Sequence, residues 1–122
     1  MWDDLVKFVK SRHTVRNELV IAVYQEGKKV TARFNQCFIK SIINTSKMRY
    51  LEFEYSKKNH ALIFSLHETD APTRLKIGIA IGFTGLCNQF GIKLTRGRHK
   101  FEITELMIED RSYYVVYLDN AV

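Results

Sequence analysis

The residues best suited to chemistry are cations gathered in one short segment. Positions 93–100 contain Lys93, Arg96, Arg98, His99 and Lys100 and no carboxylate. Cations this close together repel one another unless an anion lies near, so the segment favours a phosphate-binding surface. Further basic residues fall in predicted turns, where solvation of the turn is the simpler explanation for any one pair. The full set of predicted phosphate contacts is Lys47, Arg49, Lys57, Lys58, Lys93, Arg96, Arg98 and Lys100.

Aromatic side chains are interleaved with these basic segments. Nucleic-acid bases stack on such rings when a single strand is bound. The candidates for stacking are Tyr24, Tyr50, Tyr113 and Tyr117, although each would also serve as packing in a small β-rich domain. The formal net charge of +6 indicates a polyanionic partner: nucleic acid, an acidic protein surface or anionic lipid.

Catalytic and metal-binding patterns are not found in the sequence. The glycines follow neither the dinucleotide-binding spacing nor the GxxxxGK phosphate loop. No CxxC pair occurs and the four histidines are far apart, so we predict no metal, no cofactor and no enzyme activity. A basic toxin-like ribonuclease is the catalytic alternative, and it would need His67 or His99 beside arginine and glutamate.

Two stretches, residues 30–66 and 79–118, predict the same β-α-β-β unit. Each starts with a strand that ends in phenylalanine (VTARF, IAIGF), followed by a polar residue suited to cap a helix, Asn35 or Thr84. A basic connection then leads to two strands, YLEFEY and ALIFSLH in the first unit, KFEITELM and YYVVYL in the second. The match aligns Phe34, Ile43, Lys47 and Arg49 with Phe83, Ile92, Arg96 and Arg98 without a gap. Chance similarity between two ordinary β-α-β-β stretches is the competing explanation.

These elements predict one α+β domain over residues 1–122. Its architecture would be a compact β-barrel or a twisted, mostly antiparallel sheet. Residues 1–12 read as an amphipathic helix with Trp2, Leu5, Val6 and Val9 on one face, docked on the core. An N-terminal helix that binds a partner is the alternative. A β-hairpin around Gly27 would follow this helix.

The expected location is the cytoplasm. Asp3 and Asp4 stand where a secretion signal would carry basic residues, and the longest apolar run is too short to span a bilayer. Cys37 and Cys87 lie in predicted helices and are expected to be buried free thiols of a reducing compartment.

The half-unit with its closing hairpin, YLEFEYSKKNHALIFSL, resembles the AbrB and MraZ swapped-hairpin DNA-binding families. Their unit reads strand, polar start of a helix, basic turn and two strands, so the resemblance implies a pseudo-dimeric small barrel that binds DNA through Lys47, Arg49, Arg96 and Arg98. The chain lacks the proline usual at the helix start in these families. It also has Ser46-Lys47-Met48-Arg49 where they have a Gly-Asp turn.

The sequence thus predicts a non-catalytic nucleic-acid-binding protein of a small phage or plasmid type. DNA is favoured and RNA is also compatible, with phosphate contacts from basic loops. A homodimer is compatible with this interpretation, and no membrane association is expected. The main alternative is a protein-protein interaction module, such as a phage-encoded inhibitor whose basic loops cover an acidic surface on a host enzyme.

Overall fold

A computed structural model describes residues 19–121, which form nine strands and two short helices. The strands are β1 (Val20–Glu26), β2 (Lys29–Phe34), β3 (Tyr50–Ser56), β4 (Ala61–His67), β5 (Arg74–Lys76), β6 (Ile81–Gly82), β7 (Gly97–Glu102), β8 (Thr104–Ile108) and β9 (Arg111–Tyr117). The helices are α1 (Gln36–Phe38), which continues directly as a π-helical segment (Ile39–Ile43), and α2 (Thr84–Phe90). The predicted helix over residues 1–12, including Trp2, lies outside the described residues.

The strands pair into two antiparallel sheets. The four-stranded sheet has the order β6-β2-β1-β7, and the five-stranded sheet has the order β5-β3-β4-β9-β8. The prediction of a mostly antiparallel sheet structure is confirmed. The barrel alternative is wrong, because each sheet ends in two edge strands rather than closing on itself.

Phenylalanine and tyrosine rings fill the core. Phe38, on α1, is fully buried; its ring stacks on Phe34 with centroids 4.2 Å apart and meets the edge of Tyr114 at 5.6 Å. Phe64, on β4, stacks on Tyr114 at 5.2 Å. Since these rings come from both sheets and from α1, they hold the two layers together through large apolar burial and ring-ring contacts.

Asn35 begins α1 as predicted. Its side-chain oxygen accepts hydrogen bonds from the backbone N–H of Phe38, at 3.1 Å, and of Val20, at 3.2 Å. Its own backbone N–H donates to the Val20 carbonyl at 2.9 Å. One residue therefore caps the helix and fixes the start of β1.

Thr84 has a different role from the predicted one. Phe83 precedes α2, and Thr84 is its first helical residue. The Thr84 hydroxyl instead accepts the backbone N–H of Val30 at 2.9 Å, which fastens α2 to β2. The helix ends at Gly91, whose φ of 71° is the left-handed conformation that glycine adopts at least cost.

The prediction of a basic connection over residues 94–100 is wrong from Gly97 onward, because Gly97–Glu102 is strand β7. Phe101 points inward and is 1% exposed, while Arg98 and Lys100 point outward, as alternation in a strand requires. The predicted single strand KFEITELM is also wrong. It breaks at the buried Ile103, where the chain passes from the four-stranded sheet to the five-stranded one.

The two predicted half-units differ in connectivity because the second one contains strand β7. Residues 30–66 run β2-α1-β3-β4, whereas residues 79–118 run β6-α2-β7-β8-β9. The additional strand β7 pairs with β1 and has no counterpart after α1. Both units nevertheless consist of a strand in the four-stranded sheet, a helix and a hairpin in the five-stranded sheet.

Neither Cys37 nor Cys87 forms a disulfide, as expected. Cys87 is buried, and burial raises the pKa of its thiol. Cys37 is only half-buried, so the expectation of two buried thiols is wrong for this residue.

We expect Asn35→Ala to lower the free energy of unfolding by about 2 kcal/mol, because two backbone N–H groups lose their acceptor. Urea denaturation followed by circular dichroism measures this loss. Asn88→Ala, at an exposed position of α2, is the matched control and should stay within about 0.5 kcal/mol of wild type. Equal stabilities for the two variants would contradict the anchoring role of Asn35.

Candidate nucleic-acid interface

Strand register places three cations and a tyrosine on the outer face of the four-stranded sheet. Ala22 of β1 lies opposite Arg33 of β2 on one side and Lys100 of β7 on the other. Tyr24 likewise lies opposite Thr31 and Arg98. Directly opposed residues share a face, so these side chains form one surface. We call Arg33, Arg98, Lys100 and Tyr24 the basic sheet face.

The opposite face of the same strands explains this orientation. Ile21 is 2% exposed, Val23 3% and Phe101 1%. Their burial against the core forces the alternate residues outward, and Arg33, Arg98 and Lys100 are all exposed.

The three cations of the basic sheet face have no carboxylate partner among residues 19–121. The ion pairs in this part of the chain are Glu52 with Arg74 and His60 with Asp119, and neither pair lies on the four-stranded sheet. Glu26 and Glu102 share this outer face: Glu26 lies opposite Lys29, and Glu102 lies two residues from Lys100 along β7. Neither carboxylate forms an ion pair with Arg33, Arg98 or Lys100, so these cations are available to a bound anion.

Arg98 and Tyr24 also interact with each other. The Arg98 guanidinium carbon lies over the Tyr24 ring, 5.6 Å from its centroid. Such a cation-π contact uses the face of the guanidinium rather than its N–H donors, which can still bind phosphate. A base could stack on the same ring only if Arg98 moved aside or stacked in turn.

The other predicted phosphate contacts are exposed but scattered. Lys93 and Arg96 lie just before β7, Lys47 lies between α1 and β3, and Lys57 with Lys58 forms the turn between β3 and β4. Arg49 has a structural role, because its Nη1 donates to the carbonyls of Ile43, Ser46 and Met48 at 2.7–3.3 Å. The structure thus brings together Arg98 and Lys100 from the predicted set.

The predicted stacking residues divide between the sheets. Tyr24 lies on the basic sheet face, whereas Tyr50, Tyr113 and Tyr117 belong to β3 and β9 of the five-stranded sheet. Tyr117 is 45% exposed. The four rings therefore do not form one stacking platform.

Arg33 was missed at the sequence level. The alternation in VTARF, with Val30 and Ala32 buried, is the signal that could have placed it outward. The alternation alone does not place Arg33 near Arg98 and Lys100; that requires knowing that β1 pairs with β2 on one side and with β7 on the other.

A second feature is a cavity of about 380 Å³ at one end of the five-stranded sheet. Pairing between β4 and β9 stops at Phe64 opposite Tyr114, although β4 continues to His67 and β9 begins at Arg111. Past that pair the two strands do not hydrogen-bond to each other, and the cavity occupies the space between them. Its walls include Ser65, His67, Arg111 and Tyr113.

His67 lies in a cationic environment in this cavity. Its Nε2 is 2.8 Å from the Ser65 hydroxyl. Burial and the positive charge of Arg74 hold the pKa of His67 below its usual value; Arg111 adds to this effect and Glu52 opposes it. Glu52 accepts hydrogen bonds from Arg74 Nε and the Thr73 hydroxyl, both at 3.0 Å, which lower the pKa of its carboxyl.

His99, the other histidine considered for ribonuclease chemistry, is placed differently. Its Nε2 lies 2.7 Å from the Thr95 carbonyl oxygen, and its ring stacks near Phe101. Within residues 19–121, no group of three histidine, cysteine or carboxylate side chains could hold a metal ion. The helices of this region are all too short or too polar to cross a membrane.

The stability of the fold should depend on pH through His67. The unfolded chain binds a proton at the usual histidine pKa of about 6.5. The folded chain binds it at lower pH, so stability falls as pH drops below that value. We expect His67→Gln to show a shallower loss of unfolding free energy between about pH 7.5 and pH 5. Parallel curves for the variant and wild type, measured by urea denaturation, would refute this effect.

Comparison with known proteins identifies no relative of this chain. No protein-family model, no curated protein and no solved structure matches it.

Proposed function

We propose that this protein is a non-catalytic nucleic-acid-binding protein that holds its ligand on the basic sheet face. The observation that carries the proposal is the register of β2, β1 and β7, which groups Arg33, Arg98 and Lys100 around Tyr24. The three cations are exposed and make no ion pair within the described chain.

The mechanism is neutralisation of phosphates, combined with stacking on one ring. Arg33 and Lys100 are separated by one strand, roughly 10 Å across the sheet. Cations at this spacing can follow a sugar-phosphate backbone, while the Tyr24 ring supports a base once Arg98 moves off the ring or stacks on the base in turn. Phosphate contacts of this kind give affinity without reading base sequence.

The shape of the surface favours a single strand. Sequence-reading DNA-binding domains commonly insert a helix into the major groove. Here α2 spans seven residues and contributes its buried side to the core. An open sheet that carries an aromatic ring, here the half-buried Tyr24, is instead the kind of platform that single-stranded nucleic acids use. DNA remains the favoured ligand, and RNA is compatible with the same contacts.

We also propose that the two halves are tandem copies of one AbrB- or MraZ-like unit, with β7 added to the second. Ala32 and Ile81 are equivalent in the ungapped match, and they lie opposite each other where β2 pairs with β6. If a pseudo-two-fold axis relates the two halves and passes between β2 and β6, equivalent residues of these strands must lie opposite each other, as Ala32 and Ile81 do. In the other sheet, β4 and β9 are central neighbours, each flanked by its own hairpin partner. An experimental structure in which β2-α1-β3-β4 fails to superpose on β6-α2-β8-β9 would remove this proposal.

A phage or plasmid origin, a cytoplasmic location and homodimer formation remain parts of this proposal. The basic composition supports the phage or plasmid origin, and the absence of a disulfide between Cys37 and Cys87 supports the cytoplasmic location. The edge strand β8 supports the third, because Leu106, Met107 and Ile108 are exposed on an open sheet edge.

The ribonuclease alternative has less support. His67 does lie beside Arg74, Arg111 and Glu52, the residue types that such an enzyme needs. However, Glu52 is held by hydrogen bonds from Arg74 and Thr73, and burial lowers the pKa of His67, which disfavours its protonated, proton-donating form. RNA cleavage also needs a proton donor for the leaving oxygen.

Replacing Arg33, Arg98 and Lys100 by alanine should weaken binding to oligonucleotides of every sequence alike. The slope of log affinity against log salt should flatten by roughly 0.7–0.9 per lost phosphate contact. Folding should change little, because exposed cations contribute at most a few tenths of a kcal/mol each. Fluorescence anisotropy with labelled single- and double-stranded DNA and RNA, at several salt concentrations, measures both quantities.

The matched control replaces Lys47, Lys57 and Lys58 by alanine, which removes the same charge from loops of the five-stranded half. This variant should keep most of the wild-type slope. Equal loss in the two triple variants would mean that net charge alone attracts the ligand. If wild type binds no oligonucleotide at low salt, the interaction module that covers an acidic protein surface becomes the better interpretation.

Tyr24→Ala should weaken single-strand binding by about 1–3 kcal/mol, the usual contribution of one stacked base. Duplex binding should change less, because paired bases are not free to stack on the ring. Tyr24→Phe retains the ring and should bind a single strand nearly as well as wild type. Tyr117→Ala removes an exposed ring from the other sheet and serves as the control. If Tyr24→Phe binds as poorly as Tyr24→Ala, stacking is not the role of this residue.

A further inference from the structure

The cavity between β4 and β9 is lined by groups that complement a phosphate and by groups that complement a flat ring. The polar lining includes Arg111 and His67, together with the hydroxyls of Ser65 and Ser112. The apolar lining includes Ile42, Met48 and Leu66. Its volume of about 380 Å³ suits a small organic ligand rather than an ion or a water molecule.

Arg111 is the principal charged group of this cavity. It makes no ion pair within residues 19–121, even though Asp110 precedes it and also lines the cavity. Asp110 and Glu109 form the turn between β8 and β9 with positive φ angles of 65° and 50°. This tight turn places Arg111 at the first position of β9, at the mouth of the gap between the strands.

His67 adds a neutral hydrogen-bonding group. When the Ser65 hydroxyl donates to Nε2, the ring proton lies on Nδ1, so the imidazole can still donate to an anion without being charged. Arg111 then supplies the positive charge, and the His67 N–H donates a hydrogen bond that orients the phosphate. The Tyr113 ring, half-buried at the same wall, offers a surface for an aromatic base.

We propose that this cavity binds a nucleoside bearing a phosphate monoester, with the phosphate at Arg111 and His67 and the base against Tyr113 and the apolar wall. Two sources supply this chemistry: a free nucleoside monophosphate and the phosphorylated end of a nucleic-acid strand. The cavity belongs to the five-stranded sheet, away from the basic sheet face, so this inference does not rest on the proposed function and the two can fail separately.

The test is isothermal titration of the intact protein with four probes. Adenosine 5′-monophosphate should bind at least tenfold more tightly than adenosine, inorganic phosphate or ribose 5-phosphate, since each of the last three lacks part of the complementary chemistry. Equal binding of ribose 5-phosphate and adenosine 5′-monophosphate would overturn the base site. Absence of nucleotide binding at millimolar concentration would overturn the whole proposal.

Variants locate the site. Arg111→Ala should weaken nucleotide binding roughly tenfold, the usual loss when a charge-assisted contact is removed. Asp110→Asn removes the carboxylate next to the phosphate while suiting the positive φ, and should tighten binding severalfold. Lys57→Ala is the charge-matched control and should bind as wild type does. Poor folding of Arg111→Ala could also weaken binding. The Asp110→Asn variant avoids this ambiguity, because a folding defect cannot produce the tighter nucleotide binding that is expected for it. Failure of both variants to change binding would contradict the assignment.

The source of the ligand is distinguished with one single-stranded DNA, prepared with and without a 5′-phosphate. If the strand end is the ligand, the phosphate should raise affinity by roughly tenfold in wild type and not in Arg111→Ala. If a free nucleotide is the ligand, the two strands should bind alike while adenosine 5′-monophosphate still binds. Loss of oligonucleotide binding in the Arg33, Arg98 and Lys100 variant, with nucleotide binding intact, would show the two sites to be separate.

Discussion

The burial of one face of β1, β2 and β7 is the constraint on which the rest of the structure depends. Ile21, Val23 and Phe101 are almost fully removed from water. Since side chains alternate along a strand, a shift of one residue in any of these strands would expose them. The same alternation directs Arg33, Arg98 and Lys100 to the solvent. The proposed ligand surface is therefore a direct consequence of how the core is packed.

Side chains also alternate between the two faces of the five-stranded sheet, but pairing of its central strands stops before the strands end. Its central strands β4 and β9 pair only as far as Phe64 and Tyr114, two rings that stack in the core. Beyond them the strands are free to separate, and the C-terminal part of the π-helical segment borders the gap. Aromatic packing thus holds one end of the sheet closed, while the other end remains open as a cavity. One sheet presents an outer surface and the other a partly open cavity.

Local chemistry made some features predictable. Asn35 was identified as a helix cap because the short polar side chain precedes a run of apolar residues, and ALIFSLH coincides with β4. The sequence predicts a loop where strand β7 lies, because Gly97 and its basic neighbours are typical of turns. Its pairing with β1 depends on residues far away in sequence. For the same reason Arg33 and the cavity were missed: both require knowledge of which strands lie side by side, or where they stop doing so.

The most direct test of the basic sheet face is an amide chemical-shift titration with a short single-stranded oligonucleotide. We expect the largest shifts at Ala22, Tyr24, Arg33, Arg98 and Lys100, because these residues form one surface across β2, β1 and β7. Residues of β8, on the far edge of the other sheet, should change little. Shifts confined to the five-stranded sheet or to its loops, with β1 and β7 unchanged, would contradict the account.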